Sequence, residues 1–149
     1  MKDSFSHFTL NDELMKSIKE LGFKKPTPIQ SKVIPHLLLS NQDLIATAQT
    51  GTGKTAAFGL PLLQLTDTNN DSIQTLILCP TRELCLQIGK DLSTYSKYLK
   101  NINTLSVYGG AKIDKQIRSL KKRPQIIVGT PGRTKDLIRR KKLFLGNIK

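Results

Sequence analysis

Short apolar segments alternate with longer amphipathic segments along this chain, and that alternation limits the fold more than any other feature. Four of the short segments are typical of buried strands: residues 43–48, 74–80, 102–110 and 125–131. Each is separated from the next by enough residues for a helix, which parallel strands require as a crossover. Strands that are apolar throughout fit a sheet covered on both faces. The sequence therefore predicts an α/β domain with a mainly parallel sheet.

Helices are predicted before and between these strands. The first follows the cap residue Asn11 and ends at Gly22, with leucine and isoleucine recurring at helical spacing. The others are predicted at residues 28–40, 54–65, 81–99, 113–122 and 132–143. A chain of 149 residues is one domain or most of one.

The chain is strongly basic, with 24 Lys and Arg against 11 Asp and Glu and a net charge of +13. A basic surface gains affinity for nucleic acid by releasing counterions, so this balance indicates a polyanionic partner. The alternative from charge alone is a protein with many solvated lysines, since basic runs also suit helix ends. No apolar run is long enough to span a bilayer and no export signal is recognisable, so we expect no membrane association.

Cys79 and Cys85 are predicted to be buried thiols. If Cys79 ends a strand and Cys85 lies in the following helix, the two are poorly placed for a disulfide. Free thiols are typical of a reducing compartment, and the expected location is the cytoplasm.

Residues 27–30, Thr-Pro-Ile-Gln, have two interpretations. Thr27 suits an N-cap, Pro28 the first helical position, and Gln30 a side chain that reaches back to the cap. The Gln30 amide can also offer a donor and an acceptor together to the edge of an adenine. The local sequence leaves both interpretations open.

Residues 48–55, AQTGTGKT, lie between a predicted strand and a predicted helix and fit the P-loop pattern. Glycines let successive backbone N–H groups point at one cluster of phosphate oxygens, and the helix N-terminus adds to the field. Lys54 can reach the β and γ phosphates, and the Thr55 hydroxyl can bind Mg²⁺. The alternative is a glycine-rich turn without a ligand. A nucleoside triphosphate is the predicted ligand.

Three further segments follow predicted strands and begin or precede helices: residues 80–82, 109–110 and 130–133. They offer backbone N–H groups, hydroxyls and two arginines at one edge of the sheet, which suits a phosphodiester backbone and offers little for recognising bases. Each segment alone is more typical of an ordinary helix start or turn.

Taken together and in this order, GFKKPTPIQ, AQTGTGKT, PTREL, GG and TPGR resemble the Q motif, motif I, motif Ia, the glycine doublet and motif Ib of the DEAD-box ATP-dependent RNA helicases. The resemblance covers residues 5–143. It implies a P-loop RecA-like domain that binds ATP and Mg²⁺ at motif I and single-stranded RNA across the edge of the sheet, independently of base sequence.

The resemblance also implies roles for individual residues. Gln30 would contact the adenine edge and Phe5 would stack on the base. The nucleotide-binding set comprises Phe5, Phe23, Thr27, Gln30, Ala48, Gln49, Thr50, Gly51, Thr52, Gly53, Lys54 and Thr55, with Thr55 also as the metal ligand. The RNA-binding set comprises Pro80, Thr81, Arg82, Gly109, Gly110, Thr130, Pro131, Gly132 and Arg133.

With a nucleotide expected nearby, we predict from the sequence that Gln30 acts mainly as the adenine contact. Gln30→Ala would then remove the preference for ATP over GTP with little change in melting temperature. Loss of a cap alone would instead lower stability by about 1 kcal/mol and leave nucleotide choice unchanged.

The D-E-A-D sequence that names the family is absent from these 149 residues, and none of the eight aspartates stands in such an arrangement. We therefore expect a partial first RecA-like domain, incomplete at its C-terminal side and without the second RecA-like domain. Such a chain is expected not to hydrolyse ATP at a useful rate. An unpaired sheet edge would also favour self-association.

Three functions remain open at this point. The first is the N-terminal part of an ATP-dependent RNA helicase. The second is a stand-alone module that binds RNA or ATP without catalysis. The third is another P-loop enzyme, such as a small-molecule kinase, whose function would not require a net charge of +13.

Overall fold

Six α-helices and three β-strands form within residues 4–148, which are the residues that this computed structural model describes. In chain order they are α1 (Asp12–Glu20), α2 (Pro28–Leu39), α3 (Lys54–Leu65), β1 (Thr75–Leu78), α4 (Arg82–Tyr95), β2 (Thr104–Val107), α5 (Ile113–Leu120), β3 (Ile126–Gly129) and α6 (Pro131–Arg139). A short 3₁₀ helix at Phe5–His7, which the sequence pattern does not predict, precedes them.

The strands form one parallel sheet in the order β1-β3-β2. Thr75 of β1 and Thr104 of β2 both align with Ile126 of β3, so the three strands begin and end level with one another. The central strand β3 is buried along its whole length, as its uninterrupted apolar sequence predicts. The predicted α/β fold with a parallel sheet is confirmed, and three of the four predicted strands are present with shorter bounds.

The predicted strand at residues 43–48 is wrong. Residues 43–47 are exposed, and Ile45 is 96% exposed. A strand needs a neighbour to pair its backbone N–H and C=O groups. Within residues 4–148 the only sheet contains β1, β2 and β3, so this apolar segment lacks a partner.

The helix ends follow local signals in most cases. Asn11 caps α1 by accepting the Leu14 N–H at 2.9 Å, and Gly22 follows that helix with φ +74°. Helix α4 ends four residues earlier than predicted. Helix α6 also ends early, just before Lys141 adopts φ +54°, a conformation that a helix cannot contain. None of the helices described is long and apolar enough to cross a membrane.

Residues 4–65 with 94–99 form one compact unit, and residues 66–93 with 100–148 form a second. In the first unit α2 packs against α3. Residues 94–99 are held to α1 by Glu20, which accepts hydrogen bonds from Lys97 and Tyr98. The hydrogen bond from Lys97, followed by that from Tyr98, lowers the pKa of the Glu20 carboxyl.

The second unit contains the sheet. Its core includes Val107 and Ile127 of the sheet and Leu137 of α6, all of them buried. Helix α4 approaches β2 so closely at Gly89 that a Cβ there would lie 2.2 Å from the Ser106 hydroxyl. A side chain at this crossing would therefore displace the Ser106 hydroxyl.

Cys79 and Cys85 are free and buried, as the sequence predicts. Cys79 follows β1, whereas Cys85 lies on α4, where its thiol donates a hydrogen bond to the Val128 carbonyl at 3.1 Å. Burial raises the pKa of both thiols. The Cys85 thiol thus ties α4 to the central strand as a protonated donor.

Candidate functional site

The P-loop backbone has the conformation that its glycines permit. Gly51 has φ +76° and Gly53 has φ +81°, values that residues with a Cβ rarely adopt. A Cβ at Gly53 would in addition lie 2.4 Å from Gln30 Nε2. Helix α3 begins directly afterwards at Lys54, so its free N–H groups face the loop.

The Lys54 ammonium is folded back onto its own loop. It donates hydrogen bonds to the carbonyl oxygens of Ala48 and Gln49 at the start of the P-loop. The Gln49 carbonyl also accepts a 2.8 Å hydrogen bond from the Thr52 hydroxyl. The positive charge that phosphates would meet is therefore already held inside the loop.

The capping box at the start of α2 is present. The Thr27 N–H donates to Gln30 Oε1 at 2.9 Å, and the Gln30 N–H reaches Thr27 Oγ1 at 3.5 Å. Pro28 occupies the first turn of the helix, as predicted.

The same two side chains also bind the P-loop. Thr27 Oγ1 donates to the Thr52 carbonyl at 2.8 Å, and Gln30 Nε2 donates to the Gly53 carbonyl at 3.1 Å. Gln30 is only 3% exposed. One N–H and one oxygen lone pair of its amide remain for a further partner. The segment is thus both a helix cap and a support for the phosphate loop, so the expectation that Gln30→Ala barely affects stability is revised.

Phe5, the residue predicted to stack on the base, lies in an aromatic cluster of the first unit. Phe5 is 2% exposed, and its ring centroid lies 5.7 Å from that of Phe8 and 6.0 Å from that of Phe23. Phe23 is half-buried and also contacts Tyr95. In this arrangement the faces of the Phe5 ring are covered by protein, and its contact with adenine stays a prediction.

The second candidate region lies at the carboxyl edge of the sheet. Leu78 and Val107 both align with Gly129, so the segments predicted to bind phosphates leave the three strands at the same level. Residues 80–82, 109–110 and 131–132 are exposed, and Thr130 and Arg133 are half-buried. The structure therefore brings these three segments to one edge, as the sequence predicts. We call them the carboxyl-edge rim.

Arg82 is oriented by an aromatic ring. Its guanidinium carbon lies 5.0 Å from the centroid of the Tyr108 ring, a cation–π contact. Gly110 has φ +82°, and a Cβ there would lie 3.6 Å from Arg82 Nη1. Thr81 caps α4 by accepting the Leu84 N–H at 3.2 Å.

Arg133 is held by residues that sequence reasoning did not identify. It donates to Gln116 Oε1 at 2.9 Å and to the Ala111 carbonyl at 3.1 Å. Gln116 is 7% exposed and donates in turn to the Tyr108 carbonyl at 3.1 Å. Its position among the apolar residues of α5 is the signal that could have revealed it, since a buried amide requires partners.

Thr130 lies between β3 and α6. It is the N-cap of α6 and Pro131 follows at the first helical position, but its side chain makes no capping hydrogen bond. Its backbone N–H instead donates to the Val107 carbonyl at 3.0 Å. The extended backbone between β3 and α6 therefore continues the pairing of the sheet.

A protein-family model matches most of this chain. The family model described as DEAD/DEAH box helicase matches residues 27–149. The matched range includes the P-loop, the capping box and the whole carboxyl-edge rim.

Curated relatives are similar over nearly the whole chain. The DEAD-box ATP-dependent RNA helicase CshA of Bacillus cereus is 51% identical over 145 residues, which are 97% of this chain and 27% of that protein. The ATP-dependent RNA helicase CshA of Listeria monocytogenes is 52% identical over 144 residues, again 97% of this chain and 27% of that protein. The chain thus spans about a quarter of the length of these relatives.

Solved structures share the fold. A DEAD box protein from the hyperthermophile Methanococcus jannaschii superposes with a TM-score of 0.92 at 44% identity, covering 98% of this chain and 39% of that one. Dbp5 of S. cerevisiae, bound to RNA and ADP BeF3, gives a TM-score of 0.86 at 39% identity, covering 99% of this chain and 37% of that one.

Proposed function

Because the chain belongs to the DEAD/DEAH box helicase family, we propose that it binds ATP and RNA as part of an ATP-dependent RNA helicase. The observation that carries this proposal is the pair of hydrogen bonds by which Thr27 and Gln30 hold the P-loop at Thr52 and Gly53. A nucleotide bound to this loop would meet the one Gln30 N–H and the one lone pair that are left over.

The first unit fits a nucleoside triphosphate. Gly51 and Gly53 shape the loop, the N-terminus of α3 presents free N–H groups, and Lys54 supplies a positive charge. In P-loop proteins Mg²⁺ is bound by the hydroxyl that follows the loop lysine together with phosphate oxygens. The Thr55 hydroxyl, in the first turn of α3, is the group that would hold it here.

The carboxyl-edge rim fits the sugar–phosphate backbone of RNA. Arg82 lies exposed over Tyr108, and Arg133 places its guanidinium beside the loop that contains Gly110. Contacts of this kind position a strand without distinguishing bases. RNA binding by this rim is therefore expected to be independent of sequence.

Arg82→Ala is expected to weaken binding of a fluorescein-labelled oligouridine by about tenfold, because hydrogen bonds to charged groups contribute about 1.5–3 kcal/mol. The slope of log Kd against log salt, measured by fluorescence anisotropy, should fall by about 0.7 for the one lost phosphate contact. The affinity for oligoadenine should fall by the same factor. Arg118→Ala, at an exposed position on α5, is the charge-matched control. Equal effects of the two substitutions would contradict a role for the rim.

The 149 residues by themselves are expected not to hydrolyse ATP at a useful rate. Phosphoryl transfer to water needs a held Mg²⁺, a positioned water and neutralisation of charge on the γ-phosphate, and a P-loop supplies only part of this. The sequence contains no D-E-A-D segment. Phosphate release in the presence of RNA, measured beside full-length Bacillus cereus CshA, tests the expectation. Turnover comparable to that enzyme, and abolished by Lys54→Ala, would show it to be wrong.

A further inference from the structure

The amino-terminal edge of the sheet carries a depression that the proposed function does not use. The segments that precede β1, β2 and β3 meet there, at the other end of the strands from the carboxyl-edge rim. The depression has a volume of about 380 Å³. It is lined by Thr68, Asn69, Asp71, Asn101, Asn103, Lys121, Lys122, Arg123 and Gln125.

A second depression of about 200 Å³ adjoins the first, and Asp71 and Arg123 line both. It is also lined by Lys142, Phe144 and Asn147. We call the two depressions together the amino-edge trough. Its two parts differ in chemistry: four side-chain amides and four charged side chains line the first, whereas the second contains an aromatic ring.

The trough carries an excess of positive charge. Its lining contains one carboxylate, that of Asp71, and four cationic side chains, those of Lys121, Lys122, Arg123 and Lys142. Asp71 accepts a 2.8 Å hydrogen bond from Arg123. Among residues 4–148 the other three cations form no ion pair.

The local backbone explains where these cations lie, but their charges are still able to bind a ligand. Lys121 is the C-cap of α5, where a cation is stabilised by the helix dipole. Arg123 follows with φ +51°, which turns the chain towards β3. Solvent-exposed charges stabilise a helix end only weakly. An extended polyanion could contact several of them along the trough.

The floor of the first depression is fixed. Gln125 is 1% exposed, and its Oε1 accepts the Asn103 N–H at 2.9 Å. The Asn103 carbonyl accepts the Gln125 N–H at 3.1 Å in return. The side chains of Asn69, Asn101 and Asn103 are exposed above this floor, where amides can donate to phosphate oxygens and bind sugar hydroxyls.

Phe144 adds an exposed aromatic ring to the basic trough. This residue is 71% exposed beside Lys142. An exposed ring next to cations is the combination by which proteins bind single strands, with bases stacked on aromatic side chains and phosphates along a basic groove. The carboxylates of an acidic peptide would use the cations but would not contact the ring face favourably.

We propose that the amino-edge trough is a second binding site for single-stranded RNA, with phosphates at Lys121 and Lys122 and a base stacked on Phe144. The trough lies in the second unit and shares no residue with the carboxyl-edge rim. The choice of RNA as the ligand rests on the proposed function, whereas the excess of charge and the exposed ring do not.

The first test removes the unpaired cations. In the 149-residue chain, Lys121→Ala with Lys122→Ala should lower the slope of log Kd against log salt for labelled oligouridine by about 1.4, the value for two phosphates of a single strand. The control is Lys19→Ala with Lys32→Ala, which removes the same charge from exposed positions of α1 and α2. Equal slopes for the two double variants would overturn the proposal.

The second test examines the ring. Phe144→Ala should weaken oligouridine binding by about tenfold, since one stacked base contributes about 1–3 kcal/mol. Phe144→Tyr keeps a stacking face and should bind like the unmodified chain. Photo-crosslinking with 4-thiouridine RNA should label Phe144 or its neighbours. Normal binding by Phe144→Ala, or the absence of a crosslink in residues 121–125 and 142–147, would overturn the proposal.

The Arg82→Ala background separates this proposal from the rim. If the trough exists, Lys121→Ala with Lys122→Ala weakens the residual binding further, whether or not Arg82 itself matters. If oligoglutamate of equal charge binds the trough and RNA does not, the surface is a peptide site and the RNA assignment is wrong. An unchanged residual affinity for RNA in the triple variant would also show that the RNA assignment is wrong.

Discussion

Replacement of Lys54 by alanine is expected to weaken ATP binding by about 100-fold. A hydrogen bond to a charged group contributes about 1.5–3 kcal/mol, and each 1.4 kcal/mol is a factor of ten in affinity. The Lys54 ammonium is the cation of the P-loop, and its partners in the free chain are the carbonyls of Ala48 and Gln49. Isothermal titration with a non-hydrolysable ATP analogue measures the loss.

Two variants give the comparison. Lys19→Ala removes the same charge from an exposed position on α1 and should leave the affinity unchanged. Lys54→Arg keeps the charge but presents a planar, forked group in place of a compact ammonium, and should recover only part of the affinity. Thermal melts should be similar for all three variants, because within residues 4–148 the hydrogen bonds of the Lys54 side chain go only to its own loop. An unchanged affinity in Lys54→Ala would show that the P-loop does not bind phosphate.

Gln30→Ala is expected to lower the free energy of unfolding and to remove the preference for ATP over GTP. The substitution leaves the Thr27 N–H and the Gly53 carbonyl without their side-chain partner. An unsatisfied buried group costs about 1–3 kcal/mol. For a chain of this size the melting temperature should fall by about 5–10 °C. Differential scanning calorimetry and competition between ATP and GTP measure the two effects.

Asn11→Ala is the matched control for Gln30→Ala. It removes the N-cap hydrogen bond of α1 to the Leu14 N–H, which should cost about 1 kcal/mol. Nucleotide preference should not change. A melting temperature for Gln30→Ala equal to that of the unmodified chain would contradict the support given to the P-loop. A retained preference for ATP would contradict the adenine contact.

The regular elements of this fold could be predicted because their signals are local. The apolar run of β3, the Asn11 cap and the proline at the start of α2 each act within a few residues. The segment 43–48 has the composition of a strand, yet strand formation depends on a neighbour that composition cannot provide. That error therefore comes from a non-local requirement.

In the candidate sites, too, local features could be predicted and contacts between distant residues could not. The P-loop and the segments of the carboxyl-edge rim were identified from short motifs, and the sheet register brings the rim segments to one edge. The bond from Gln30 to Gly53 joins residues 23 positions apart, and the one from Arg133 to Gln116 joins residues 17 apart. Such contacts depend on how helices pack, which no motif specifies. The burial of Phe5 among other rings is of this kind as well.

In the free P-loop the Ala48 and Gln49 carbonyls occupy the Lys54 ammonium, so they compete with a ligand for its hydrogen bonds. An incoming ligand must attract the ammonium more strongly than two carbonyl oxygens do. A triphosphate carries several charges near one another, so it attracts the ammonium more strongly than a monophosphate or an isolated sulfate does. The loop would therefore reject weakly charged anions before any base is recognised, and discrimination by charge would precede discrimination by adenine.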